Sequence, residues 1–574
     1  MNYRRGSIGL AAMLLISGCK YIEFLPFLKS PVDNAARGRQ DTHRGPAFNN
    51  DTLTVPPLAA VNPATDWGAY NGTLTGERFS PLASITATNV ASMRVQCVAQ
   101  LGEKVPMQSG PVEVDGTIYL TSATTTWALD ATSCELRWKH RYRYSPAPDY
   151  DLKVNRGVGY LDLPDGPRLF RGSNDGRVYA IDARTGKELW NVMAGNVERG
   201  ETFPAAPVAW QLAPGEGLVF IGNAGGDNYG VTGRIMAFDA RSGDRVWSFD
   251  LVPSTGPANT TWPPVNDRVP RAGAASWTSY ALDTIAGTLY VPTGNAAPDF
   301  LAEVRAGSNQ HAYSIVALDA RTGTFLHAWQ LLERDVHDWD VAAAPMLITG
   351  ADAQLTLVAA GKDGYVTAIE LENGERRFRA AVSTMENVDV PLTPDGTRFC
   401  PGLQGGVEWN GPSYSPATSM LYVGSIDWCT TVAVQPASEL KGKWAIPWTG
   451  SAHLTQPFGV MDPKEAARGR LTALDVVTGA ERWRYSSPTP IVAGVTATAG
   501  GVVFAADLSG NVLAFDAATG AELYRYNTGQ PVGGGIISYS VNGRQYVAVA
   551  SGLHAPKSWQ TESGKATLVV LGLP

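Results

Sequence analysis

Apolar and polar residues alternate in short runs along most of this chain, as in Val178-Tyr179-Ala180-Ile181. That period of two predicts strands with one face buried. The runs end in a shared punctuation. Ile181-Asp182 leads through Thr185-Gly186 to Trp190, and Phe238-Asp239 leads through Ser242-Gly243 to Trp247. Leu318-Asp319 runs through Thr322-Gly323 to His327, with Trp329 just beyond. Leu474-Asp475 runs through Thr478-Gly479 to Trp483, and Phe515-Asp516 through Thr519-Gly520 to Tyr524. Two further copies are Leu129-Asp130 with Trp138, and Ile369-Glu370 with Asn373-Gly374 and Phe378. An Asp that bonds the turn backbone, followed by Gly at positive φ, makes a hairpin. The aromatic on the returning strand can then lie between neighbouring sheets. Four-stranded units of this kind repeated radially make a β-propeller.

The repeat acids begin at 130, 182, 239, 319, 370, 475 and 516. The interval from 370 to 475 is wide enough for two units. An additional unit there would hold Tyr414-Ser415-Pro416 and Met420-Leu421-Tyr422-Val423. Seven copies and one degenerate blade predict an all-β fold, a single eight-bladed propeller over residues 64–574. The segment from Trp67 to Leu101 would supply the outer strand that closes the ring.

Composition agrees with many short strands and tight turns: 61 Gly, 38 Pro, 16 Trp and 21 Tyr in 574 residues. A net charge of −7 gives no basic face for nucleic acid. The start of the chain reads as an address. Arg4 and Arg5 precede an apolar run from Ile8 to Ile16, and Ser17-Gly18-Cys19 follows. Residues 1–18 are therefore expected to be a secretory signal, with Cys19 the lipidated first residue of the mature chain. Residues 19–63 read as a tether. The expected place is the bacterial cell envelope, facing the periplasm, with Lys20 favouring the outer membrane. No second apolar run is long enough to span a bilayer, so membrane contact is expected through the lipid alone.

Four cysteines remain beyond Cys19, an even number in an exported chain. Of three possible pairings, Cys97–Cys134 and Cys400–Cys429 each close a loop about one blade long, and these are preferred. No Cys-x-x-Cys-His is present to attach a c-type haem.

Chemistry concentrates in Val336-His337-Asp338-Trp339-Asp340-Val341, between two apolar segments. Buried carboxylates are costly unless paired or bound to a metal. Alone, these acids are as easily turn-formers as catalysts.

The Asp-x-x-Thr-Gly-x-x-x-Trp repeat resembles the tryptophan-docking motif of pyrroloquinoline quinone (PQQ) propellers. Several segments between the repeats resemble those of the PQQ-dependent alcohol dehydrogenases, in order, from about Trp67 to Gly552. Val154-Asn155-Arg156-Gly157-Val158 resembles the segment whose Arg contacts the quinone. Gly222-Asn223-Ala224-Gly225-Gly226-Asp227 resembles the loop with an acidic metal ligand, with Asp227 for the usual Glu and Asn228 as an extra residue. Ser276-Trp277-Thr278-Ser279 resembles the segment whose Trp forms the cofactor floor. Pro292-Thr293-Gly294-Asn295 resembles the metal-binding Asn segment, and His337-Asp338-Trp339-Asp340 the segment ending in the general base. Gly361-Lys362-Asp363-Gly364 resembles the segment whose cation reaches the quinone oxygens. Cys400-Pro401-Gly402 through Trp409 and Tyr414-Ser415-Pro416 resembles the family's degenerate blade.

The resemblance implies an oxidoreductase that takes hydride from an alcohol or similar hydroxyl substrate. Its cofactors would be PQQ and Ca2+, and a separate cytochrome c or membrane acceptor would receive the electrons. It implies Asp340 as base, with Asp338 in reserve, and Asp227, Asn295 and Asp340 as metal ligands. Gln108, Arg156, Gly226, Trp277, Lys362 and Trp409 would contact the quinone. The chain departs from the family pattern at Gln108 (usually Glu), at Glu408 (usually Asn, though Asn410 follows), and at Pro204, with Thr202 close by. Tyr150 and Asp151 stand where adjacent cysteines often cover the quinone. Ala342 stands where lanthanide-using relatives carry a further Asp, which favours calcium. A non-catalytic relative with the same repeats, the propeller lipoprotein of the outer-membrane protein assembly machinery, supplies the alternative: an envelope scaffold.

Overall fold

A computed structural model describes residues 61–144, 153–264, 269–350, 352–453 and 455–574. The signal segment, Cys19, most of the tether, and Tyr150 and Asp151 lie outside the described residues. All that follows belongs to the unit Asp41–Pro574.

The repeat acid organises each hairpin as its chemistry requires. Asp182 Oδ1 accepts from the backbone N–H of Arg184 and Thr185, each at 2.9 Å. Asp239, Asp319, Asp475 and Asp516 do the same in their own turns. Four residues after the acid the chain takes positive φ, as at Gly323 (72°). In the first repeat that left-handed position is filled by Cys134 (61°).

The aromatic docks onto the next repeat. Trp247 Nε1 donates to the carbonyl of Ala320 at 3.0 Å, and Gly323 lies against the indole so closely that a Cβ there would stand 2.6 Å from it. Trp138 donates to Ala183, Trp190 to Ala240 and Trp483 to Ala517 in the same way. One five-residue turn thus serves two sheets, ending its own hairpin and seating its neighbour's Trp.

Among the described residues, seven sheets hold four antiparallel strands in chain order, one of them gaining Phe79–Ser80 as a fifth, parallel strand beside Thr496–Thr498, and an eighth combines three C-terminal strands with one from the N-terminal side. The first comprises Val112–Val114, Thr117–Thr121, Thr125–Asp130 and Leu136–Arg141. The first strand Val112–Val114 is buried throughout, whereas the fourth, Leu136–Arg141, is half exposed, so the first strand is innermost. The last sheet closes the ring. Arg94–Gln100 pairs antiparallel with the C-terminal strand Thr567–Gly572 and takes the outer edge.

The inventory of blades needs one correction. Met420–Asp427 is not part of a separate unit between 370 and 475, because it pairs directly with Arg468–Asp475 in the sheet that also holds Ser413–Ser415 and Glu481–Ser487. The repeat acid marks the hairpin between third and fourth strands, so its first two strands precede it. Here an insertion between the second and third strands stretches the interval. The eighth sheet is the closing one, built from Ile536–Val541, Arg544–Ser551, Thr567–Gly572 and Arg94–Gln100.

Both disulfides form as the spacing suggested. Cys97–Cys134 joins the closing strand to the first sheet's turn, and Cys400–Cys429 ties the base of the insertion. A cross-link at ring closure limits the unfolded chain and is worth about 2–4 kcal/mol.

Two outcomes follow for stability. Trp247→Ala removes a buried indole and its hydrogen bond, and should cost about 3–5 kcal/mol in a denaturant titration, with Trp247→Phe milder. Acid should act through the turn carboxylates. Turn amides and Arg482 offset burial and hold Asp475 down at about 2. Its contribution is therefore full above the unfolded carboxylate range and is lost as pH falls from about 4 towards 2. The melting temperature should drop steeply across that window, and an unchanged value would contradict the assignment.

Candidate active site

In antiparallel sheets the start of a first strand and the end of a second strand lie at the same end. The sequence-marked residues occupy those two places. Gln108, Arg156, Trp277, Asp340 and Trp409 each come three to six residues before an innermost strand. Asp227, Asn295 and Lys362 each follow the end of a second strand. Loops scattered over about 300 residues of sequence therefore converge at one end of the ring near its axis.

The 335–340 loop is shaped by its own acid. The Asp335 carboxylate accepts from the backbone N–H of His337 at 3.1 Å and of Trp339 at 3.0 Å, and Asp338 between them takes φ of 60°. His337 stacks on Trp339 at 4.1 Å, and Trp339 donates to the carbonyl of Pro401 at 3.2 Å. His337 and Trp339 are thus scaffold, and they present Asp338 and Asp340 side by side.

Asp340 is clamped on both oxygens. Oδ1 accepts from the backbone N–H of Asn295 at 3.0 Å, and Oδ2 lies 2.7 Å from Lys362 Nζ. A side chain at Gly294 would collide with Asp340 Oδ1, so that glycine is required by close approach. Lys362 also stands 3.4 Å from Asp338 Oδ2 and donates to the Asp338 carbonyl at 3.2 Å. These acids hold Lys362 well above the ordinary lysine range against the opposing effect of burial.

A third carboxylate meets them that sequence reading did not single out. Oxygens of Asp227, Asp299 and Asp338 all lie within 4.8 Å of one another. Asn295 bridges the groups, its side-chain amide donating to Asp299 Oδ1 at 3.0 Å while its backbone holds Asp340. Of the expected metal ligands, then, Asp227 and Asn295 are in the cluster, while Asp340 stands beside it engaged with Lys362. The only sequence signal for Asp299 was an acid four residues beyond Asn295, after a proline.

Crowding and burial shift these groups together. Burial, then the Asp340 charge, raise Asp227 to about 6 against the pull of Lys362. Burial and the neighbouring acids lift Asp299 and Asp338 well above the carboxylate range. Part of the burial comes from the insertion of the sixth sheet. The N–H of Trp448 donates to the Asp227 carbonyl at 2.7 Å, and Phe300 donates to Thr449 at 2.8 Å.

Beside the acids lies an aromatic and cationic wall. The Arg156 guanidinium sits 4.6 Å from the Trp277 ring centroid and 5.3 Å from that of Trp409, and donates to the Trp277 carbonyl at 3.1 Å. Lys362 Nζ is 5.7 Å from the Trp277 ring. Trp409 is fixed by its bond to the Gly533 carbonyl at 3.2 Å, and Gly110 ties the Gln108 loop to the Arg156 carbonyl at 2.8 Å. Gly226 packs under Ala275, in the Trp277 loop. Buried Glu408 faces Lys362, Asp340 and Arg156 and is pushed up to about 7, chiefly by burial. Tyr70 joins the wall as well, within 3.4 Å of the Trp409 carbonyl and 3.3 Å of Asn410 Oδ1. A cavity of about 310 Å³ shares Trp559 with this wall, the ring standing edge-on to Trp409, but holds none of the acids.

Among the described residues, three buried polar atoms of the wall have no hydrogen-bond partner: Gln108 Oε1, Arg156 Nε and Thr278 Oγ1. Asp299 Oδ2 is a fourth, in the acidic cluster. Buried atoms of this kind are ordinarily satisfied, so the site is built for groups the chain does not itself supply.

The comparisons with known proteins agree with this geometry. Residues 67–381, more than half of the chain, match the model of the glucose/ethanol/alcohol dehydrogenase β-propeller domain, and residues 467–570 match that of the outer membrane protein assembly factor BamB. The quinohemoprotein alcohol dehydrogenase of Comamonas testosteroni is 29% identical over 85% of this chain and 72% of its own. The quinoprotein alcohol dehydrogenase PedH of Pseudomonas putida is 28% identical over 83% of this chain and 84% of its own. The crystal structure of the Comamonas enzyme superposes with a TM-score of 0.76 at 26% identity, covering 89% of this chain and 81% of that one. The span Trp67–Ala381 includes every expected quinone and metal contact except Trp409, and on that match the chain belongs to the glucose/ethanol/alcohol dehydrogenase β-propeller family.

Proposed function

We propose that this chain is a PQQ- and metal-dependent alcohol dehydrogenase. The observation that carries the reading is the convergence of a clamped carboxylate, a buried acidic cluster and an indole–guanidinium wall at one end of the ring. The residues fit the group. PQQ is planar and carries carboxylates, which suit the Trp277 face, Arg156 and Lys362. Asp227, Asn295 and the neighbouring acids are hard oxygen donors suited to calcium or a similar cation. When bound, the quinone accepts hydride and the cation polarises its carbonyl.

The chain's own residues then have distinct tasks. Asp340 takes the proton of the substrate hydroxyl, and Lys362, 2.7 Å from its Oδ2, holds it in position. Trp277 sets the plane of the site, and Arg156 neutralises carboxylate charge at its edge. Trp448 and Thr449 hold the insertion against Asp227 and Phe300, and the partial burial this gives strengthens the charge interactions within. Electrons then pass from the site to a separate cytochrome c or membrane acceptor. Export and anchoring at Cys19 would place that exchange at the periplasmic face of the envelope.

The scaffold reading draws on the match over residues 467–570, which covers the closing sheets alone. None of the acidic cluster, Lys362, Arg156 or Trp277 falls in that span.

Asp340→Asn should lower dye-linked alcohol oxidation by the reconstituted protein about a hundredfold or more while leaving the fold intact. Full activity in that variant would remove Asp340 from the role of base. Calcium should raise the melting temperature of the full chain at neutral pH, by the equivalent of about 2.7 kcal/mol at a hundredfold excess over Kd. The rise should shrink near pH 5, where Asp227 holds its proton, and reverse on chelation.

A further inference from the structure

We propose that Asp299 is itself a metal ligand of this chain, completing a three-carboxylate cradle with Asp227 and Asp338 that prefers a trivalent to a divalent cation. The inference rests on the reading of this site as metal-binding, and adds to it a ligand and a charge preference.

Asp299 has no solvent exposure. Its Oδ1 takes the Asn295 amide proton, and its Oδ2 has no partner. The nearby Arg305 does not neutralise it through contact. That guanidinium donates instead to the carbonyls of Pro298, Asp299 and Asp335 and to Asn309 Oδ1. Lys362 is nearest Asp340 and reaches only Asp338 within the cluster. A buried carboxylate with one empty oxygen, facing two others, is strongly unfavourable as a charged group unless a cation joins them, and otherwise holds a proton that a cation would displace.

Charge decides which cation. Three carboxylates converge on one point, and the single adjacent ammonium is largely spent on a fourth, Asp340. The attraction scales with the ion's charge, so each carboxylate ligand gains more from a trivalent ion than from a divalent one. Ala342, which pointed to calcium, lies on a different loop from Asp299 and does not bear on its contribution.

The test uses the full chain, freed of metal by chelation and without quinone, titrated with Tb³⁺ and with Ca²⁺ in separate calorimetric experiments. One ion per chain should bind, Tb³⁺ at least about tenfold more tightly than Ca²⁺. Asp299→Asn should weaken Tb³⁺ by about tenfold or more and Ca²⁺ by less, with an unchanged circular dichroism spectrum. Equal affinity of the wild-type chain for the two ions overturns the charge preference without need of any variant. Unaltered Tb³⁺ affinity in Asp299→Asn overturns the ligand assignment. Quinone uptake is read separately by absorbance. A chain that binds Tb³⁺ through Asp299 but takes up no PQQ would defeat the dehydrogenase reading and leave the metal site standing.

Discussion

The ion pair between Lys362 and Asp340 is the contact on which the site depends. It joins the loop before one innermost strand to the loop after the second strand of the same sheet, inside a region too acidic to exist without it. Asp227, half-buried, crowds together with the buried Asp299, Asp338 and Asp340, and Lys362 pairs with the last two. The same pair leaves Asp340 aimed, and leaves the other three carboxylates facing one another. A buried lysine that stabilises one acid while others remain uncompensated is a site waiting for a second cation.

The ring makes this crowding possible. No single sheet could hold four acids so close, because each would relax its own loop towards solvent. Eight sheets, several of them locked through Trp–Gly contacts, and closed by the pairing of the N-terminal strand with the C-terminal one, allow little such relaxation. Docking bonds such as Trp247 to Ala320 hold neighbouring sheets at fixed spacing, and the cross-link at Cys97–Cys134 secures the closure. The stability of the periphery therefore offsets the strain of the axis.

Much of this was legible in the sequence. The repeat has a local cause, an Asp turn followed by a left-handed residue and an aromatic, and local causes can be read from neighbours in the chain. Arg156, Trp277, Lys362, Asp340 and Trp409 were legible because the segments that carry them resemble, in order, those of the PQQ-dependent alcohol dehydrogenases; from the residues alone only the run from Val336 to Val341 stood out. The eighth blade was assigned to the wrong place because an insertion between Asp427 and Arg468 looks, on spacing alone, like another repeat. Asp299 was missed for a different reason. Its importance comes from Asp227 and Asp338, which reach it from other loops, and nothing within its own segment signals that meeting.

The central claim is that this end of the ring binds a planar anionic quinone together with a cation. Titration of the purified full chain with PQQ, with and without Ca²⁺, following quinone absorbance and tryptophan fluorescence, addresses it most directly. Saturable one-to-one uptake that requires the cation and fails in Trp277→Ala is the result the account predicts. Absence of saturable uptake in the presence of cation, by a chain whose fold is intact, would contradict it.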